Sequence, residues 1–199
     1  MSELPDYVVI NKPECLNRNI LRAPAQTVTF PLSEEDRHIM DVLITKFRNE
    51  KNCVGLAASQ LGFHKRLIVL EVKDDPKLKK WRSDLMDTLP RSLWINPSYT
   101  GIGEEKTLDY EGCFSVDGLG GMVARFKKIV YQGYDAEGRL IKGTAQGFLA
   151  RVIQHEVDHT NGTLFIDLVP ESELLPIEFY RKKRTEALKQ GRESVSEIR

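Results

Sequence analysis

Cysteine is scarce in this 199-residue chain, three residues in all, and Cys15, Cys53 and Cys113 show no paired spacing. That argues against a disulfide scaffold and for a reducing compartment. Net charge is missing as well. The 29 Lys and Arg balance 29 Asp and Glu, so composition gives no argument for a nucleic-acid or membrane partner. No apolar run approaches the roughly 20 residues that span a bilayer. The opening Met1-Ser2-Glu3-Leu4-Pro5-Asp6 carries acids; it lacks the apolar core of a secretory signal and the Arg-rich, acid-poor character of a transit peptide. The expectation is a cytoplasmic protein, or an organelle-lumen one if a transit peptide was removed. Repeats and low-complexity tracts are absent too, while 41% hydrophobic residues suffice for one core.

What the chain does contain is His155-Glu156-Val157-Asp158-His159, an HExxH element behind the apolar run Phe148-Leu149-Ala150-Arg151-Val152-Ile153. A helix there places both imidazoles on one face, where they can share a metal ion, with Glu156 in reach of a water on it as general base. An accidental HExxH on an ordinary helix is the plain alternative. The third ligand decides the kind of hydrolase. Gly162 is in register for a metzincin, but Phe165 stands where the third His belongs. A thermolysin-like site would need a later Glu, and Glu178 is the candidate, although Phe179-Tyr180-Arg181-Lys182-Lys183-Arg184 beside it reads as an amphipathic helix. Upstream, Glu111-Gly112-Cys113-Phe114-Ser115 offers a thiol before a loop-like stretch from Val116 to Gly121. A thiolate suits a borderline or soft divalent metal, and Gly112 permits close backbone approach.

These segments together resemble the peptide deformylases. Cys53-Val54-Gly55-Leu56-Ala57-Ala58-Ser59-Gln60, Glu111 to Ser115, and Gln154 to Gly162 are similar to the family's three motifs, in order, and the resemblance covers roughly residues 8 to 170. It implies removal of the formyl group from N-terminal formyl-methionine of new polypeptides. It implies one divalent ion on Cys113, His155 and His159, Fe(II) first, with zinc, nickel or cobalt also compatible. Glu156 would move the proton as base and then acid. Gln60 and the backbone N–H of Phe114 would stabilise the developing oxyanion. Gly55, Gly112 and Arg151 are assigned to the substrate side. The partners implied are N-formylmethionyl peptides, with no membrane and no specific nucleic-acid site.

Several positions depart from the family pattern. Cys53 replaces a Gly, Ser59 a frequent Pro, Phe114 a Leu, and Asp117 and Gly120 stand where bacterial members carry Pro and Arg; these changes resemble the organelle-type branch. Without an Arg at 120, Arg125 is the expected partner of Glu111. Arg151, one turn before His155, either lines the methionine pocket with its stem or faces solvent. Asp158 is either an acceptor for a ligand imidazole or a solvent-facing carboxylate. Cys113, taken alone, reads as a small buried residue, and Gln60 as a surface amide or loop cap. A non-catalytic binder of N-termini would have no need of Glu156.

The pattern of elements predicts an α+β fold: mixed or antiparallel sheets packed around a central HExxH helix, with an N-terminal and a C-terminal helix. Ser33 caps a helix with acids in its first turn, ending near residues 49–52. Residues 67–72, 93–95, 123–134 and 139–144 read as strands, and 73–91 as a surface excursion. Residues 1–170 form the catalytic domain, and residues 171–199 a C-terminal helix and frayed tail of the same domain. The helix from Leu174 to Leu188, with its basic Arg181-Lys182-Lys183-Arg184 run, is either a solvated helix or a transient contact to the ribosome.

Overall fold

The computed structural model describes residues 4–190. Helix α1 (Glu34–Asn49) starts as its sequence requires: Ser33 Oγ accepts from the Asp36 N–H, and the Asp36 carboxylate returns a bond to the Ser33 N–H. Ile39, Met40, Leu43 and Phe47 form its buried stripe, against Leu67 and Val69 of a central strand. Burial of each such side chain is worth about 1.5–3 kcal/mol.

The strands are β1 (Gly55–Ala57), β2 (Leu67–Val72), β3 (Leu89–Gly101), β4 (Lys106–Cys113), β5 (Val116–Phe126), β6 (Lys128–Tyr134), β7 (Leu140–Gln146) and β8 (Leu175–Pro176). They make a five-stranded sheet in the order β1-β2-β3-β6-β7 and a three-stranded sheet in the order β4-β5-β8. Every named pair is antiparallel. Helices α2 (Pro76–Trp81), α3 (Gly147–Thr160) and α4 (Ile177–Lys189) complete the α+β architecture.

Three strand assignments change. The strand expected at 93–95 runs from Leu89 to Gly101, into the end of the expected excursion. The stretch from Val116 is strand, not loop: its glycines lower β propensity, but pairing with β4, Glu111 opposite Gly121 and Gly112 opposite Gly120, overrides that. Residues 123–134 are two strands separated at Lys127, where the Gln154 side chain takes the place of a ladder partner, accepting from Phe126 N–H and donating to Phe126 C=O. The charged excursion holds α2, capped by Asp75 with Pro76 at its first position. The frayed tail expected at 189–199 falls mostly on residues 191–199, outside the described ones; Lys189 closes α4.

Helix α3 carries the HExxH segment and is buried along most of its length, packing on β1, β2 and β3 from one sheet and β5 from the other. Leu149, Ala150, Ile153 and Val157 join Ile68, Leu70 and Trp94 in one apolar cluster. Among the described residues, no helix is long and apolar enough to cross a membrane.

Candidate active site

The helical spacing of four residues brings His155 and His159 together, ring centroids 5.0 Å apart. Cys113 ends β4, immediately before the two-residue turn Phe114-Ser115 that leads into β5. That hairpin points its sulfur at the helix: Cys113 Sγ lies 3.2 Å from His159 Nε2. One ligand atom from each of Cys113, His155 and His159 lies within 4.8 Å of the others. Thiolate chemistry and the family resemblance both offered Cys113 as the companion of the two histidines; the fold brings the three into one cluster.

Glu111, two residues before the cysteine on β4, explains the orientation of His155. Its Oε2 lies 2.8 Å from His155 Nδ1. Burial alone would keep Glu111 protonated, but Arg125 and the His155 bond hold its pKa well below the usual carboxylate range. An ionised carboxylate only accepts, so Nδ1 donates and Nε2 keeps its lone pair for an ion. Arg125 answers the expectation made for it: Nε and Nη2 each reach a Glu111 oxygen at 2.9 Å. Its Nη1 donates to Asp158.

Glu156 sits beside the cluster. Burial pushes its pKa up to about 7, against the pull of His155. Its Oε2 is buried and has no hydrogen-bond partner among the described residues. Gly55 makes its place: a Cβ there would stand 2.5 Å from Glu156 Cγ. Gln60, in the 3-10 turn Ala58–Leu61, accepts from the Ala57 N–H at 2.8 Å, which aims its Nε2 at Cys113 Sγ 3.3 Å away. The Ser115 N–H is directed at the same sulfur, at 3.4 Å.

Sulfur and two imidazole nitrogens converging in the interior, with an unpartnered buried carboxylate oxygen next to them, fit a borderline divalent ion. Glu178, the alternative third ligand, is not part of this group; it is exposed on α4 and pairs with Arg181.

Two readings of single residues are corrected. Arg151 neither lines an open pocket nor faces solvent. It is 4% exposed, and its guanidinium donates to Glu111, Val123 C=O and Thr107 C=O. Asp158 is buried and binds neither imidazole; it accepts from Arg125 and from Tyr99 Oη. The room beside Gly112 is filled by Ile177 of α4, so that glycine has a packing reason.

Sequence reading missed the N-terminal strap. The Val8 N–H donates to Gln60 C=O at 2.8 Å and the Ile10 N–H to Ser115 C=O at 2.9 Å, so one extended segment ties the turn bearing Gln60 to the turn bearing Phe114. Tyr7 stacks on Phe114, centroids 4.8 Å apart, and donates to Glu50. The short aromatic and β-branched run Tyr7-Val8-Val9-Ile10 was the available signal.

Residues 11–174 match the family model described as Polypeptide deformylase. The chain is 50% identical over 190 residues to peptide deformylase 2 of Rickettsia conorii, covering 94% of each. Among solved structures it is similar to peptide deformylase from Ehrlichia chaffeensis, with a TM-score of 0.71, 27% identity, and coverage of 95% of this chain and 97% of that one. The Met-Ala-Ser-bound class I type b peptide deformylase from Acinetobacter baumannii gives the same TM-score of 0.71 and 27% identity, covering 85% of this chain and 100% of that one.

Proposed function

The chain belongs to the polypeptide deformylase family, whose reaction removes the formyl group from the N-terminus of polypeptides, and we propose that Cys113, His155 and His159 hold its one divalent ion. The observation that carries this assignment is the meeting of the Cys113 sulfur from β4 with both α3 imidazoles inside 4.8 Å. The donor set suits Fe(II), our choice, and would accept zinc, nickel or cobalt. When bound, such an ion supplies Lewis-acid polarisation of the formyl carbonyl and of the attacking water.

The residues of the chain then have separate tasks. Glu156, with a buried, unpartnered oxygen, takes one proton from the water as its oxygen adds to the formyl carbon. It returns that proton to the amine nitrogen as the C–N bond breaks, so one water is consumed and formate and a free amino terminus leave. Gln60 Nε2 and the Phe114 N–H donate to the formyl oxygen while it carries negative charge. The strap through Val8 and Ile10 sets the spacing of those two donors. Among the described residues strand β1 pairs with β2 alone, and we assign its open edge at Gly55, together with the Gly112 backbone, to the extended N-formylmethionyl peptide. Glu156→Ala should lose formate release from a formyl-Met peptide by at least about 100-fold and keep its ion. Loss of the ion along with activity would reassign Glu156 as a ligand.

The packing of α4 on β5 supports one catalytic domain made of residues 1–170 and the helical segment after them, and we propose that it acts in the cytoplasm. A transient ribosome contact through α4 would use Arg181 and Lys182, which are exposed. Arg184 is buried against Asp109 and cannot serve. Replacing Arg181 and Lys182 by Glu should weaken co-sedimentation with ribosomes and leave hydrolysis of a short peptide unchanged. Unchanged co-sedimentation would end the idea.

A further inference from the structure

We infer that Arg151 is a positioning residue for the metal ligand His155, acting through Glu111. The inference rests on Cys113, His155 and His159 forming the ion site. Four donors converge on the Glu111 carboxylate. Oε1 receives Arg125 Nε at 2.9 Å and Arg151 Nη1 at 2.8 Å. Oε2 receives Arg125 Nη2 at 2.9 Å and lies 2.8 Å from His155 Nδ1. A carboxylate has about four lone-pair sites, so every one is assigned.

The two arginines do different things. Arg125 is shared, because its Nη1 goes to Asp158. Arg151 is anchored to main chain: Nη2 donates to Thr107 C=O at 2.7 Å, and Nη1 also donates to Val123 C=O at 2.9 Å. It therefore fixes the carboxylate to β4 and β5 together. Because Arg151 lies one helical turn before His155 on α3, a single turn carries both the ligand and the clamp on its orienting group. Arg151 also changes the local charge. Glu111 and Asp158 both lean on Arg125, and Arg151 adds a second buried positive charge beside Glu111.

The test uses Co(II) as the probe, in competition with a chelator and followed by thiolate-to-cobalt absorption, on parent protein and single variants. Arg151→Met should bind Co(II) about 10- to 100-fold more weakly, the usual cost of losing support behind a ligand. Arg184→Met removes an equally buried guanidinium that touches Asp109 but not Glu111, and it should stay within about threefold of the parent. Equal affinity in Arg151→Met and the parent, or an equal loss in Arg184→Met, overturns the role of Arg151. A parent that takes up no cobalt at the thiolate overturns the ion site itself. Should Arg151→Met not fold, Arg151→Lys keeps the charge but cannot reach Glu111, Thr107 and Val123 at once. It should weaken binding several-fold alone and add nothing in a Glu111→Gln background; additive losses there overturn the proposal.

Discussion

Gln60 and Phe114 contribute to the same oxyanion by different atoms, and that difference is measurable. Gln60→Ala removes a side-chain donor, and the expected loss in kcat is about 100- to 1,000-fold. Phe114→Leu keeps the backbone N–H and gives up only the stack on Tyr7, worth about 0.5–1.5 kcal/mol. Steady-state formate release by that variant should stay within about tenfold of the parent, while thermal unfolding shifts down. A drop as large as that of Gln60→Ala would mean the ring itself serves the reaction. At this scale the candidate ligands were readable, His155 and His159 from the HExxH spacing and Cys113 from the short motif around it. Arg151 and Asp158 were not. Both are charged residues on α3, and their burial depends on partners on β3, β4 and β5 that no helical periodicity reveals.

Elements were legible where local chemistry decides them. Ser33 and Asp36 announce α1, and Asp75-Pro76 would have announced α2 inside a stretch read as surface excursion. The first half of β5 was read as a loop, since its glycines look like one until β4 is laid beside it; residues 123–126 of the same strand were legible. Those glycines have a purpose that only the packing discloses. Gly112 and Gly120 are paired across β4 and β5, and together they leave a slot for Ile177 at the start of α4. A Cβ at Gly112 would lie 2.8 Å from Ile177 Cδ1, and one at Gly120 would lie 2.7 Å from it and 3.1 Å from Glu111 C=O. The absence of Arg at 120 is thus coupled to the helix seated there. Gly120→Arg should dislodge α4 at a cost of about 1–3 kcal/mol, seen as a lower melting temperature and faster protease cleavage within residues 171–190. Unchanged melting would show that α4 tolerates the side chain.

The molecule as a whole is joined at Asp109. Arg82, just after α2, donates to its Oδ2 at 2.7 Å, and Arg184 of α4 donates to its Oδ1. The excursion, the three-stranded sheet and the C-terminal helix therefore meet on one buried carboxylate. Burial by itself would raise its pKa, but Arg82 and then Arg184 outweigh that and hold it below the usual value. The sign of the pH effect follows. The unfolded chain takes up a proton at Asp109 near pH 3.9, whereas the folded chain does so only at lower pH. The stabilisation is complete above the unfolded value and is lost as pH falls through the folded one. Asp109→Asn leaves two buried guanidinium groups short of charge, a change of about 3–5 kcal/mol near neutrality. Urea midpoints taken from pH 7 downward should show a large gap between parent and variant that narrows only below about pH 4. A gap that stays constant to pH 2.5 would mean that lost packing, not the charge on Asp109, accounts for the difference.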